Sequence, residues 1–85
     1  MSTERLSNLL RLRVVAEADP IAIARVLDPF QNSNVVPRRF IAEFGADRIL
    51  HIEVDVIGLS EQQVALITRK IAEAPSVINA YWRRL

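Results

Sequence analysis

The chain reads as an α+β fold: a four-stranded antiparallel sheet with two helices on one face, in the order strand, helix, strand, strand, helix, strand. Three observations predict it. Four short segments carry apolar residues in strand-type alternation, two segments between them carry apolar residues at helical spacing, and proline, glycine or polar clusters punctuate the junctions. With right-handed crossovers this order closes most simply as a split βαβ sandwich with strand order 4-1-3-2, which leaves the second and fourth strands at the edges.

In the first strand, Leu10, Leu12, Val14 and Ala16 alternate with Leu9, Arg11, Arg13 and Val15, giving one apolar face and one charged face. Ala16-Glu17-Ala18-Asp19-Pro20-Ile21-Ala22 then turns into a helix. Asp19 is placed to act as its N-cap, and Pro20 at the first helical position loses only a donor that has no partner there. Ile23, Val26, Leu27 and Phe30 form the expected buried stripe, and Pro29 is expected to end the helix near Asp28.

After Gln31-Asn32-Ser33-Asn34, a second strand from Val36 to Phe44 and a third from Arg48 to Ile57 flank Gly45-Ala46-Asp47 as a hairpin. A three-residue loop pairs Phe44 with Arg48, Ala42 with Leu50 and Phe40 with Ile52 on one face. On the other it pairs Ile41 with His51 and Arg39 with Glu53, and a slip by one residue would violate both faces. Pro37 marks the second strand as an edge. Ser60 and Gln63 have capping-box spacing, and Val64, Ile67, Ile71 and Ala74 line a second helix that stops before Pro75. The last strand, Val77 to Arg83, is expected to bury Ile78, Ala80 and Trp82.

Eighty-five residues are expected to make one domain, residues 9–85, behind a flexible tail of residues 1–8. A domain of this size buries only about 60 to 65% of its unfolded surface, so association would add stability. Eleven Lys and Arg against ten Asp and Glu leave a net charge of +1, too little to draw nucleic acid or an acidic membrane. The absence of cysteine excludes disulfides, thiolate catalysis and cysteine-based zinc sites. No apolar run approaches the roughly 20 residues that cross a bilayer, and the first residues carry no signal-type core, so a cytoplasmic location is expected.

The turn after the first strand is the leading candidate site. Donors left free at a helix start form a general receptor for carboxylate or phosphate, and the same residues equally describe an ordinary strand-to-helix junction. The second candidate is the uncovered sheet face, where Arg11, Arg13, Arg39, Ile41, Glu43, His51, Glu53, Asp55 and Tyr81 are expected together. His51, Glu53 and Asp55 at alternate positions could collect a divalent metal, but arginines beside them compete as counter-ions, and a charge-paired sheet is the simpler expectation, with no metal and no cofactor.

In Ala16-Glu17-Ala18-Asp19-Pro20, Ile23, Arg25-Val26-Leu27, Leu50-His51-Ile52-Glu53-Val54-Asp55-Val56 and the closing stretch through Ile71 and Val77, the sequence resembles the ACT domain family. Within that family it is similar to the short, single-domain regulatory small subunits of acetolactate synthase. The resemblance covers nearly the whole chain after residue 8 and rests on the order and spacing of these segments. It implies a ferredoxin-like βαββαβ fold and a non-catalytic regulatory or assembly subunit of a thiamine-dependent enzyme of branched-chain amino-acid biosynthesis. It also implies a homodimer and a catalytic large subunit as partners. An amino-acid effector would sit at Glu17, Ala18, Asp19, Pro20, Ile21 and Ala22, with Val35 and Val36 of a neighbouring protomer as an apolar wall. Many effector-binding members carry glycine where this chain has Ile21, whose branched side chain would narrow the site.

Other functions fit less well. A free-standing amino-acid-binding module has the same signature and differs only in its partner. An acylphosphatase-like hydrolase shares the architecture, but it needs an arginine in a phosphate-cradling first turn, and this turn carries Glu17 and Asp19. An RNA-binding sheet would show aromatic residues on the third strand, and Arg48-Ile49-Leu50-His51-Ile52-Glu53-Val54 has none.

Overall fold

The computed structural model describes residues 8–85. The expected tail, except for Asn8, lies outside the described residues. Strand β1 (Leu10–Glu17) leads to helix α1 (Ala22–Asn32), then β2 (Arg39–Phe44), a short 3-10 turn (Ala46–Arg48), β3 (Ile49–Val56), helix α2 (Glu61–Ala72) and β4 (Val77–Arg84). The sheet order is β2-β3-β1-β4 with every neighbouring pair antiparallel, which is the predicted order read from the other edge.

One core forms between the sheet and the helices. Leu10, Leu12, Val14 and Ala16 of β1 and Leu50, Ile52, Val54 and Val56 of β3 point into it, opposite Ala22, Val26 and Phe30 of α1 and Val64, Ile67 and Ile71 of α2. Each such large apolar side chain contributes about 1.5 to 3 kcal/mol by leaving water. The start of α2 follows the predicted capping box: the Gln63 N–H donates to Ser60 Oγ at 3.1 Å, and the Ser60 N–H donates to Gln63 Oε1 at 2.8 Å.

Helix α1 departs from expectation at both ends. Its regular turns begin at Ala22, so the inward stripe is Ala22, Val26 and Phe30, while Ile23 is 38% exposed. Pro29 lies inside the helix and does not stop it. Its missing N–H costs the Arg25 carbonyl one bond, but another turn is needed to carry Phe30 to 1% exposure, and that burial offsets the loss. The Pro29 carbonyl then receives the Ser33 hydroxyl at 2.9 Å and the Ser33 N–H at 3.1 Å.

The hairpin register differs by two residues from the predicted one. Phe44 pairs with Leu50, Ala42 with Ile52 and Phe40 with Val54, and on the open face Glu43 pairs with His51, Ile41 with Glu53 and Arg39 with Asp55. A slip of two keeps every side chain on its face, so the alternation that excludes a slip of one cannot detect it. The connection lengthens because Asp47 and Arg48 both adopt left-handed backbone, φ 58° and 60°, and the Gly45 N–H reaches the Ile49 carbonyl at 2.7 Å. In β4 a bulge at Ile78 sets Ala16 opposite Val77 but Val15 opposite Asn79. Val77, not Ile78, therefore joins Ala80 and Trp82 against the core, and Ile78 is left 58% exposed.

Candidate functional site

The β1–α1 turn is fixed by backbone bonds to two other loops. The Glu17 N–H donates to the Ser76 carbonyl at 2.8 Å, ahead of β4, and the Ala18 N–H donates to the Arg48 carbonyl at 2.9 Å, in the β2–β3 connection. Arg48 can offer that carbonyl because of its left-handed conformation, which is uncommon for a residue with a side chain. Asp19 then answers the first donors of the helix itself: Oδ1 accepts the Ile21 N–H at 3.0 Å, and its carbonyl accepts the Ala22 N–H at 2.9 Å. Asp19 therefore closes a turn three residues ahead of the first helical residue and is not the N-cap expected from the sequence: that place falls to Ile21, which has no side-chain cap bond, and Pro20 lies outside the helix because the chain makes one more turn before the helix begins.

Two recesses flank this turn and share Ala18, Asp19 and Pro20. One, of about 270 Å³, is largely apolar and is completed by Ile23, Ala42, Phe44 and Leu50. The other, of about 490 Å³, is completed by Glu17, Asp47, Arg48 and Ile49 and carries both signs of charge. Ile21 is 52% exposed and lines neither recess, so its branched side chain does not occlude them. Ala22 is fully buried and belongs to the core.

Val35 and Val36 lie elsewhere in the same chain. Val35 packs partly buried against the core, its N–H donating to the Phe30 carbonyl at 3.1 Å, and Val36 is 85% exposed. Both precede β2, whose first residue Arg39 pairs with Asp55 near the start of β1, whereas the candidate turn follows the end of β1. A strand's length, roughly 20 Å, separates them within one protomer.

The open sheet face holds the charged residues predicted for it in three rows across the strands. Arg39, Asp55, Arg11 and Arg83 form the first; Ile41, Glu53, Arg13 and Tyr81 the second; Glu43, His51, Val15 and Asn79 the third. Asp55, with a side chain 7% exposed, receives a two-point bond from Arg11, Nε to Oδ1 at 2.7 Å and Nη2 to Oδ2 at 2.9 Å. Glu53 accepts from Arg39 and from Arg13 Nε, the latter at 2.7 Å. Bonding to Arg39 holds the Glu53 carboxyl below its ordinary pKa, and bonding to Arg11 does the same for Asp55. Both are therefore ionised near neutrality and neither is poised as a general acid. A shallow concavity of about 530 Å³ spans the middle of this face. His51 lines it beside Gly45, where an added Cβ would sit 2.7 Å from Nε2 and would have to displace the exposed imidazole.

The turn brings together the predicted Glu17, Ala18, Asp19 and Pro20, and it adds Phe44, Leu50, Asp47 and Arg48 from the β2–β3 hairpin, which the sequence reading missed. The left-handed pair Asp47 and Arg48 has no periodic signal, and only the longer loop carries it to the turn.

These features define a ferredoxin-like βαββαβ fold of the ACT type. No protein-family model and no curated protein matches the sequence, but solved structures do match the fold. The chain is similar to the C-terminal domain of the MgtC protein from Mycobacterium tuberculosis, with a TM-score of 0.76 at 12% identity over 91% of this chain and 86% of that one. It is similar to the ACT domain of GTP pyrophosphokinase from Chlorobium tepidum, with a TM-score of 0.74 at 12% identity over 88% and 96%. It also matches part of a homoserine dehydrogenase from Thiobacillus denitrificans, with a TM-score of 0.71 at 18% identity over 94% of this chain and 18% of that one.

Proposed function

We propose that this domain is a non-catalytic regulatory or assembly module of the ACT type, which binds an amino-acid effector at the β1–α1 turn. We further propose that it serves as a small subunit of acetolactate synthase in branched-chain amino-acid synthesis, as a homodimer joined to the catalytic large subunit in the cytoplasm. The observation that carries the effector reading is the presence of Asp19 in the lining of an otherwise apolar recess formed with Ile23, Ala42, Phe44 and Leu50. An aliphatic amino acid presents the complementary pair, a branched hydrocarbon beside an ammonium group. Asp19 uses Oδ1 for the Ile21 N–H, and Oδ2 is the atom assigned to the ammonium. Glu17 and Arg48 in the adjoining recess supply a second anion and a cation for the zwitterion. Val35 and Val36 of a second protomer would close the apolar side. A domain of the same fold belongs to GTP pyrophosphokinase and part of a homoserine dehydrogenase matches it, which supports a module that works attached to an enzyme.

The test is a thermal-shift titration with the twenty amino acids, followed by reconstitution with a thiamine-dependent acetolactate synthase large subunit. A ligand that binds only the folded state raises the midpoint, by about 2.7 kcal/mol of added stability at a hundred times its dissociation constant. A shift with valine, leucine or isoleucine that is lost in Asp19→Ala is expected. No shift with any amino acid removes the effector reading, and a shift without any effect on the synthase removes the enzyme assignment.

A further inference from the structure

The sheet is polarised along its strands. At the end where β1 starts and β4 finishes, the first row across the open face is Arg39, Asp55, Arg11 and Arg83. At the other end, β1 and β2 run out among Glu17, Asp19, Glu43 and Asp47. In the first two rows, four arginines (Arg11, Arg13, Arg39 and Arg83) meet two carboxylates, Glu53 and Asp55, so two positive charges lack a counterpart on the face. The bonds already made place the surplus. Asp55 takes the fork from Arg11, and Glu53 takes Arg13 and Arg39. Arg83 is exposed and forms no ion pair among the described residues, yet the β1–β4 register sets it directly opposite Arg11. Like charges facing each other across two strands are destabilising, so the fold itself draws no benefit from a cation at position 83. Arg38, also exposed, is held at the same end by its backbone N–H, which donates to the Asp55 carbonyl at 2.7 Å.

We propose that this arginine end of the open face docks an acidic segment of a partner polypeptide, laid across the strands. The proposal rests on the reading of the domain as an assembly module and specifies the chemistry of what it assembles with. It is independent of the effector turn, which lies a strand's length away, roughly 20 Å. An acidic segment placed here relieves the Arg11–Arg83 repulsion and gives Arg83 the two-point carboxylate partner that Arg11 already has in Asp55.

The length and sign pattern of the row select the occupant. Three strand spacings, about 14 Å, separate Arg39 from Arg83, and an extended chain sets side chains four residues apart on one side at about 13 Å. Carboxylates at those two places reach the outer arginines, while an uncharged residue between them passes over Asp55 and Glu53. Arg39 already bonds Glu53, but a guanidinium carries five donors and can serve both. A nucleic acid would set closely spaced phosphates against the same two carboxylates, and the net charge of +1 supplies no broad field to compensate, so the row favours a polypeptide.

The probe is a labelled, end-blocked peptide repeating Glu-Ala-Gln-Ala, titrated with the full chain in low salt and followed by fluorescence anisotropy. Binding that weakens as salt rises is expected. Arg83→Glu is expected to weaken it about tenfold or more, whereas Arg69→Glu, the same change of net charge at an exposed position of α2, leaves it within about twofold. In the chain without peptide, Arg83→Gln is expected to raise the thermal midpoint in low salt, because it relieves Arg11. No binding, equal loss in Arg69→Glu, or tighter binding of a thymidine oligonucleotide with the same dependence on Arg83 overturns the proposal. A lowered midpoint in Arg83→Gln makes Arg83 a structural residue and overturns it as well. Reconstitution with a synthase large subunit separates this surface from the reading it rests on. Assembly that survives Arg83→Glu removes the surface and keeps the assembly module, while peptide binding by a chain that joins no synthase keeps the surface and removes that enzyme.

Discussion

The two faces of this sheet are built from alternate residues of the same strands, yet they hold together by different physics. On the helix side, Leu12, Val14, Ile52 and Val54 lie at 2% exposure or less, and burial rewards them in any orientation. On the open side, their immediate neighbours Arg11, Arg13, Glu53 and Asp55 form directional pairs, of which the Arg11–Asp55 fork is the most enclosed. The apolar face therefore supplies most of the stability. The charged face adds less and constrains which atoms stand opposite which, because a forked bond tolerates little displacement.

Perturbing matched positions should expose that difference. The largest loss is expected from Leu12→Ala, about 3 kcal/mol by chemical denaturation, since a side chain 1% exposed leaves a cavity when truncated. A loss below about 1 kcal/mol would show the core collapsing around the gap and would erase the contrast. Next comes Asp55→Ala, about 2 kcal/mol, because the Arg11 fork loses both acceptors in a mostly enclosed position. If that variant proved neutral, the open face would be solvated charge without structural effect.

Acid titration sharpens the comparison. Glu53 and Asp55 are held below their ordinary pKa values by Arg39 and Arg11. In the unfolded chain they ionise near pH 4, so their contribution is fully present above about that value. It is lost as pH falls through the lower folded-state values. The wild-type urea midpoint is expected to drop over that acid range and the Asp55→Asn midpoint to drop less; equal slopes would assign the acid sensitivity to other carboxylates. The smallest effect is expected at Arg13, whose side chain is 44% exposed. Arg13→Ala should change stability by an amount near experimental error and should change it still less in high salt, where exposed pairs are screened.

The candidate turn shows how far local sequence reaches. Asp19 reads as the N-cap because a short acidic side chain precedes Pro20, but the cap falls two residues later at Ile21, and Asp19 closes a turn onto the Ile21 N–H instead. Phe44, Leu50 and Arg48 were not legible as neighbours of that turn. They come from a hairpin whose length depends on two consecutive left-handed residues, Asp47 and Arg48, neither of them glycine. The branched shape of Ile21 suggests a narrowed site, but Ile21 stands just before the helix, 52% exposed and outside the lining of both recesses.

The sequence by itself determined the order of the elements, which residues of β1 and β3 face the core, the capped start of α2 and the company of arginines and acids on one face. All of these rest on local periodicity or on pairing within a few residues. Tertiary structure alone decided the hairpin register, the passage of α1 through Pro29 and the bulge at Ile78. A two-residue slip preserves every face, a proline can be outweighed by one buried phenylalanine, and a bulge changes which of two adjacent apolar residues points inward. Each of those choices compares packing energies between segments distant in sequence, and no local pattern contains that comparison.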